Sequence, residues 1–216
     1  MKFSIMGDSI STFEDYNPFL HDVFYKGEII EDWNGVEDTW WMQVIKHFGG
    51  ELAVNNSWSG SFVAGLTEAS GNSEARVAKL AEEDNVPDLV LVCMGANDCG
   101  GKIKLRGDTP SDELAFDTAY TIMLERIKTL LPNAKIFCAT IMLTDEETGP
   151  NYNRRREYIE SYNNIIRLVA AEQGCLLLET YNEHVGYTTV DGLHPDRAGQ
   201  RLLGEIIIKE LEKHLN

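Results

Sequence analysis

Short apolar runs alternate with longer amphipathic ones along this chain. Residues 3–6, 52–54, 88–94, 135–143 and 175–178 read as strands. The third run is continuous and β-branched, the pattern of a strand covered on both faces. Between the strands the spacing predicts helices over 40–47, much of 61–83 (most regular at 74–83), 109–131 and 153–173, with a last one from Pro195. Asp38 or Thr39 suits the first N-cap, and Thr109-Pro110 is a good helix opening. In the fourth helix Tyr158, Tyr162, Ile165, Ile166 and Val169 share one face; in the last, Leu202, Leu203, Ile206, Ile207 and Leu211 do. The order is strand then helix, five times. Right-handed crossovers turn that order into a three-layer α/β/α fold with an open parallel five-stranded sheet. The flavodoxin-like order 2-1-3-4-5 is the first choice, in one domain spanning 1–216.

Composition narrows the partners. The chain has 216 residues and a formal net charge of −16, with 43% hydrophobic residues. Such acidity repels phosphate backbones and anionic bilayers, so neither nucleic acid nor a membrane is expected as a partner. The longest apolar runs are about eight residues, far short of the roughly 20 that cross a bilayer. The N-terminal apolar stretch is too short for a signal peptide, which points to the cytoplasm. Cys93, Cys99, Cys138 and Cys175 form no C-x-x-C pair, as suits a reducing compartment.

In a sheet of this kind ligands bind beyond the carboxyl ends of the strands. Gly7-Asp8-Ser9-Ile10 follows the first strand, Asn55-Asn56-Ser57-Trp58-Ser59-Gly60 the second and Gly95-Ala96-Asn97-Asp98 the third. Asp191-Gly192-Leu193-His194-Pro195 lies beyond the fifth. These segments bring a hydroxyl, a carboxamide, a carboxylate, an imidazole and a glycine amide to one rim. Those are the parts of an acyl-transfer site.

The four blocks resemble those of the SGNH hydrolases, or GDSL esterases. Ser9, Gly60, Asn97 and His194 stand in that family's order, each in the matching strand context. The resemblance implies a serine esterase with no cofactor. The nucleophile would be Ser9, and the oxyanion donors the amides of Ser9 and Gly60 and the side chain of Asn97. Physically, His194 would take the serine proton. Asp191, three residues earlier, would fix the imidazole tautomer. Ser11 reads as local capping, Asp8 and Asp98 as loop supports and Asn55 as a brace. His21, His47, His184 and His214 share no metal-ligand spacing.

Residues 12–39 form a long connection, where such loops usually run about 2–6 residues. It carries six aromatics, eight acids and a single lysine, a net charge of −7. It is either a packed flap or a lid whose Tyr25 and Trp33, with Trp58 opposite, line a substrate pocket. Lys102, Lys104 and Arg106 would form the facing wall or pair with this acidic loop. The aromatics favour an O-acetylated carbohydrate as substrate. Short-chain acyl esters, thioesters and lysophospholipids stay open. So does a metal-dependent phosphoryl hydrolase with Asp8, Asp98 and Asp191 around Mg2+, or a carbohydrate-binding protein without activity.

Overall fold

The computed structural model describes residues 1–148 and 153–215, with side chains from 158 onward in the helix that opens the second stretch. Seven strands occur among these residues: β1 (Lys2–Gly7), β2 (Glu51–Asn55), β3 (Leu89–Cys93), β4 (Lys135–Ala139), β5 (Leu143–Thr144), β6 (Leu176–Leu178) and β7 (Gly186–Tyr187). Six helices accompany them: α1 (Trp40–His47), α2 (Glu74–Val77), α3 (Ala96–Gly100), α4 (Phe116–Leu130), α5 (Asn153–Glu172) and α6 (Arg197–Leu215). The main sheet runs β2-β1-β3-β4-β6, and every pairing is parallel. This is the expected α/β/α order, with β6 as its fifth strand.

Successive residues of β3 point to opposite faces, so the strand feeds two cores. Leu89 and Leu91 join Phe3, Ile5, Trp40, Trp41, Ile207 and Leu211 beneath α1 and α6. Val90 and Val92 join Met6, Tyr120, Leu124 and Ile166 beneath α4 and α5. Burial on both faces is why this strand reads as an unbroken apolar run. On α5, Tyr162, Ile165, Ile166 and Val169 are buried as the periodicity requires, but Tyr158 is half exposed beneath the ammonium of Lys102.

Three element boundaries depart from expectation. The predicted helix over 61–83 shrinks to α2 and a 3-10 turn at Ala78–Leu80. Its backbone amides are taken elsewhere: those of Val63 and Ala64 donate to the Asp98 carboxylate, that of Gly65 to the Glu113 carbonyl, and those of Gly71 and Asn72 back to Phe62 and Val63. The helix expected from Thr109 starts at Phe116, because Glu113 accepts Gly65, the Asp112 carboxylate accepts from Lys104, and the Phe116 amide donates to the Lys104 carbonyl. The fourth strand leaves the sheet after Ala139. The Asn163 side chain brackets both backbone groups of Ile141, and residues 143–144 pair instead with β7. At α1 the N-cap is Thr39, whose hydroxyl accepts from the Met42 amide at 3.3 Å. Asp38 is occupied by Arg197 at 2.8 Å.

Candidate active site

Ser9 sits where β1 ends. The Asp8 carboxylate accepts the Ile10 amide at 3.0 Å, and a 3-10 turn over Ser9–Ser11 follows. That turn is tight enough to demand glycine before it. A Cβ on Gly7 would come within 2.6 Å of Ser11 and of the Ser57 hydroxyl. Asn55 ties the turn to β2: its side-chain amide donates to the Ser11 carbonyl at 2.8 Å, and its oxygen accepts the Ser57 hydroxyl. Ser11 accepts the Trp40 indole N–H at 3.1 Å rather than capping locally.

Under the turn lies a fully buried arginine. Arg76 of α2 donates to the Gly7 carbonyl at 2.5 Å, the Asn56 carbonyl at 3.3 Å and the Ala69 carbonyl. Burial lowers its pKa to about 10, and the nearby Asp8 charge opposes that. Burial likewise pushes Asp8 up to about 6, against the Ile10 amide and Arg76, which pull it down.

Two residues of the last loop complete a chain of short contacts. His194 Nε2 lies 2.8 Å from Ser9 Oγ, and its Nδ1 lies 2.7 Å from Asp191 Oδ2. Asp191 Oδ1 accepts the backbone amides of His194 at 2.8 Å and Leu193 at 3.1 Å. Partial burial of Asp191 would raise its pKa, but these amides and the imidazole outweigh it and hold the carboxyl below its usual range. A carboxylate accepts only, so Nδ1 carries the proton and Nε2 faces the serine with its lone pair. Phe24 stacks on the imidazole with ring centroids 3.5 Å apart and planes 15° from parallel.

The remaining blocks carry Gly60 and Asn97. Gly60 stands exposed with φ +73°, a left-handed conformation that favours glycine. The Asn97 side chain donates to the Ser61 carbonyl at 2.9 Å, and its second N–H remains for another acceptor. Asp98 braces this loop from below through the Val63 and Ala64 amides at 2.8 and 3.0 Å. Burial pushes its carboxyl up to about 6, while those amides pull it down. His21 stacks on Trp58 at 4.1 Å, with its ring nitrogen 3.1 Å from the Ser57 carbonyl; burial drives its pKa down to about 4.

Of the two readings of the long loop, the contacts of Tyr25 and Trp33 fit the packed flap. Tyr25 is fully buried and its hydroxyl donates to the Pro195 carbonyl at 2.7 Å, so it braces the histidine loop and cannot touch a substrate. Trp33 packs inward on Tyr25 and Phe13. Trp58 has one face covered by His21 and its indole N–H 3.4 Å from Asp22. The basic cluster does not pair with this loop either: Lys104 meets Asp108 and Asp112, and Arg106 meets Asp117. Nor do three carboxylates gather for a metal, because Asp98 and Asp191 are both spent on backbone amides.

A family model for GDSL-like lipases and acylhydrolases matches residues 1–190. The chain belongs to this family. Known proteins resemble the chain over nearly its whole length. An arylesterase of Vibrio mimicus is 27% identical over 99% of this chain and 90% of its own. The crystal structure of a Bacteroides ovatus protein described as a GDSL-like lipase superposes with a TM-score of 0.73 at 26% identity, over 98% of both chains. An active-site mutant of a family two carbohydrate esterase from Clostridium thermocellum shares the fold, with a TM-score of 0.58 at 16% identity, over 99% of this chain and 64% of its own. This GDSL-like protein is a carboxylic ester hydrolase. No helix among its described residues is long and apolar enough to cross a membrane.

Three positions at the site carried no sequence signal. Phe24 is one aromatic among six in a loop of no regular period. Arg76 falls in an amphipathic stretch where arginine is ordinarily solvated. Gln200 is buried on α6, where it accepts the Trp40 amide at 2.9 Å and donates to the Ile10 carbonyl at 3.0 Å. A buried glutamine in a helix has no local mark, because its partners are 160 and 190 residues away.

Proposed function

We propose that the protein is a serine esterase that cleaves small esters through an acyl-enzyme on Ser9. The observation that carries this reading is the unbroken relay Ser9–His194–Asp191, with contacts of 2.8 and 2.7 Å. His194 Nε2 takes the Ser9 proton as Oγ attacks the ester carbonyl carbon. The carbonyl oxygen becomes an oxyanion held by the amides of Ser9 and Gly60 and by the Asn97 side chain. Collapse expels the alcohol, which receives the proton from Nε2. Water, activated by the same nitrogen, then frees the acid.

The acyl group is small in this reading. A cavity of ≈ 50 Å³ is bordered by Asp8 and Ile10, the neighbours of Ser9 on either side, and by Ala96, Ile141 and Met142. Its small size favours an acetyl group over a long acyl chain. Sugar stacking loses support, because Trp58 and Trp33 are engaged with other side chains. Lys104 and Arg106 pair with their own acids, and Glu37 and Asp38 of the long loop pair with Lys46 and Arg197, which leaves the loop's six other acids against a single lysine to act on the substrate. Neutral or cationic esters should therefore outcompete anionic ones. The kcat/KM ratio of a neutral to a carboxylated ester should shrink as salt rises; preference for the anionic ester at low salt contradicts this.

A fluorophosphonate probe tests the nucleophile directly. The label should map to Ser9, and Ser9→Ala should lose both labelling and hydrolysis of p-nitrophenyl acetate, by about 10⁴-fold or more, while remaining folded. Wild-type turnover in Ser9→Ala would overturn the assignment.

A further inference from the structure

We propose that Phe24 is a positioning residue for the reaction, acting through His194. This rests on the reading of His194 as the base for Ser9. The Phe24 ring lies almost parallel to the imidazole at a centroid distance of 3.5 Å. Both ring nitrogens of His194 are already engaged in-plane, by Ser9 and by Asp191. In-plane contacts leave the ring free to tilt about the line joining them. A flat apolar ring against one face removes that freedom.

The backbone of Phe24 is itself tied to that of Ser9. The Thr12 hydroxyl donates to the Ser9 carbonyl at 2.9 Å and accepts the Phe24 amide at 2.9 Å. One hydroxyl thus links the backbone of Ser9 to the residue stacked on its base. Tyr25 adds a second tie, edge-on to Phe24 at 5.0 Å and bonded to the carbonyl of Pro195, next to His194.

The contact also acts electrostatically. When the Ser9 proton moves from Oγ to Nε2, the imidazole becomes a cation. The face of a phenyl ring carries negative potential and attracts a cation laid over it. This attraction grows as the charge develops, so it favours the transition state over bound substrate. Its loss should therefore fall on kcat rather than KM.

Phe24→Leu keeps the apolar bulk and removes the π face. With p-nitrophenyl acetate, kcat should fall about 10-fold, equivalent to about 1.4 kcal/mol, with KM within about twofold and Tm nearly unchanged. Phe24→Tyr should restore kcat to within about threefold of wild type. In NMR spectra the His194 ring protons should be displaced upfield by the Phe24 ring current, and should return toward ordinary positions in Phe24→Leu. An undiminished kcat in Phe24→Leu, a loss carried by KM, a Tyr variant as poor as the Leu variant, or unmoved His194 resonances would each overturn the inference. Failure of the esterase reading looks different: wild type itself would show no Ser9-dependent turnover, and the role given to Phe24 would fall with it.

Discussion

The two halves of the relay are supported in opposite ways. Ser9 is held from beneath, by a buried layer of charged and polar groups at the end of the sheet. Asp8, Arg76 and Asp98 are all at most 2% exposed, and each bonds to backbone that belongs to a site loop. His194 is held from the side. Its loop closes on itself through Asp191, whose side chain is 43% exposed, and leans on Phe24 and Tyr25 from the long first connection. In the mechanism proposed above, a nucleophile must stay where the oxyanion donors are, so it shares its foundations with the fold. A base must only reach one oxygen in one tautomer, and a short loop with one carboxylate suffices. Damage to the first support should therefore appear as lost stability, and damage to the second as lost turnover.

The sharpest separation comes from the exposed side. Asp191→Asn would replace an acceptor with a group that no longer selects the Nδ1–H tautomer. We expect kcat to fall by about 10³–10⁴-fold with little change in Tm. A variant that unfolds would instead place Asp191 in the structural layer and break the contrast. The converse is Arg76→Met. Three carbonyls would lose their donor and Asp8 its counter-charge, at a cost of about 3–5 kcal/mol in stability by urea denaturation. An unchanged midpoint would mean that the buried layer does not support Ser9 as described.

The smallest effect is a dependence on pH confined to the buried side. His21 in the folded protein resists protonation down to about pH 4, whereas its ordinary value is 6.5. Between those values the unfolded chain binds the extra proton. The stability that His21 allows is present above about 6.5 and is lost as pH falls toward 4. Asp8 and Asp98, raised from 3.8 to about 6, run the other way, because their folded forms take protons first and gain stability over the same fall. Comparing wild type with His21→Gln cancels the aspartates. The variant should lose less Tm between pH 7 and pH 5. An equal loss would show that His21 protonates freely in the folded state.

The relay was legible in the sequence because its members fall in two short blocks, Ser9 at the end of the first strand and Asp191 with His194 beyond the fifth. The β-α alternation then carried all of them to one rim. The braces of Ser9 were half legible. Asp8, Asn55 and Asp98 lie within the blocks and read as supports. Arg76 does not, since its stretch has helical periodicity and only four residues of it form α2. The rest of the expected helix is undone by Asp98, which lies 35 residues beyond the amide it captures at Val63. The choice between a flap and a lid for the long loop was not legible for a similar reason. Its aromatics were visible, but which of them face the core is set by partners such as Pro195, 170 residues from Tyr25.

What the sequence determined by itself was local in origin: the period of each element, the parallel order that follows from alternation, and the candidacy of Ser9, Gly60, Asn97, Asp191 and His194. The tertiary structure decided which side chains turn inward, which helices survive competition for their amides, and which aromatic lies on the His194 imidazole. The physical reason is that a hydrogen bond or a ring stack is decided by whichever partner is nearest in space. For Arg76, Tyr25 and Phe24 those partners come from segments that only the folded sheet brings together.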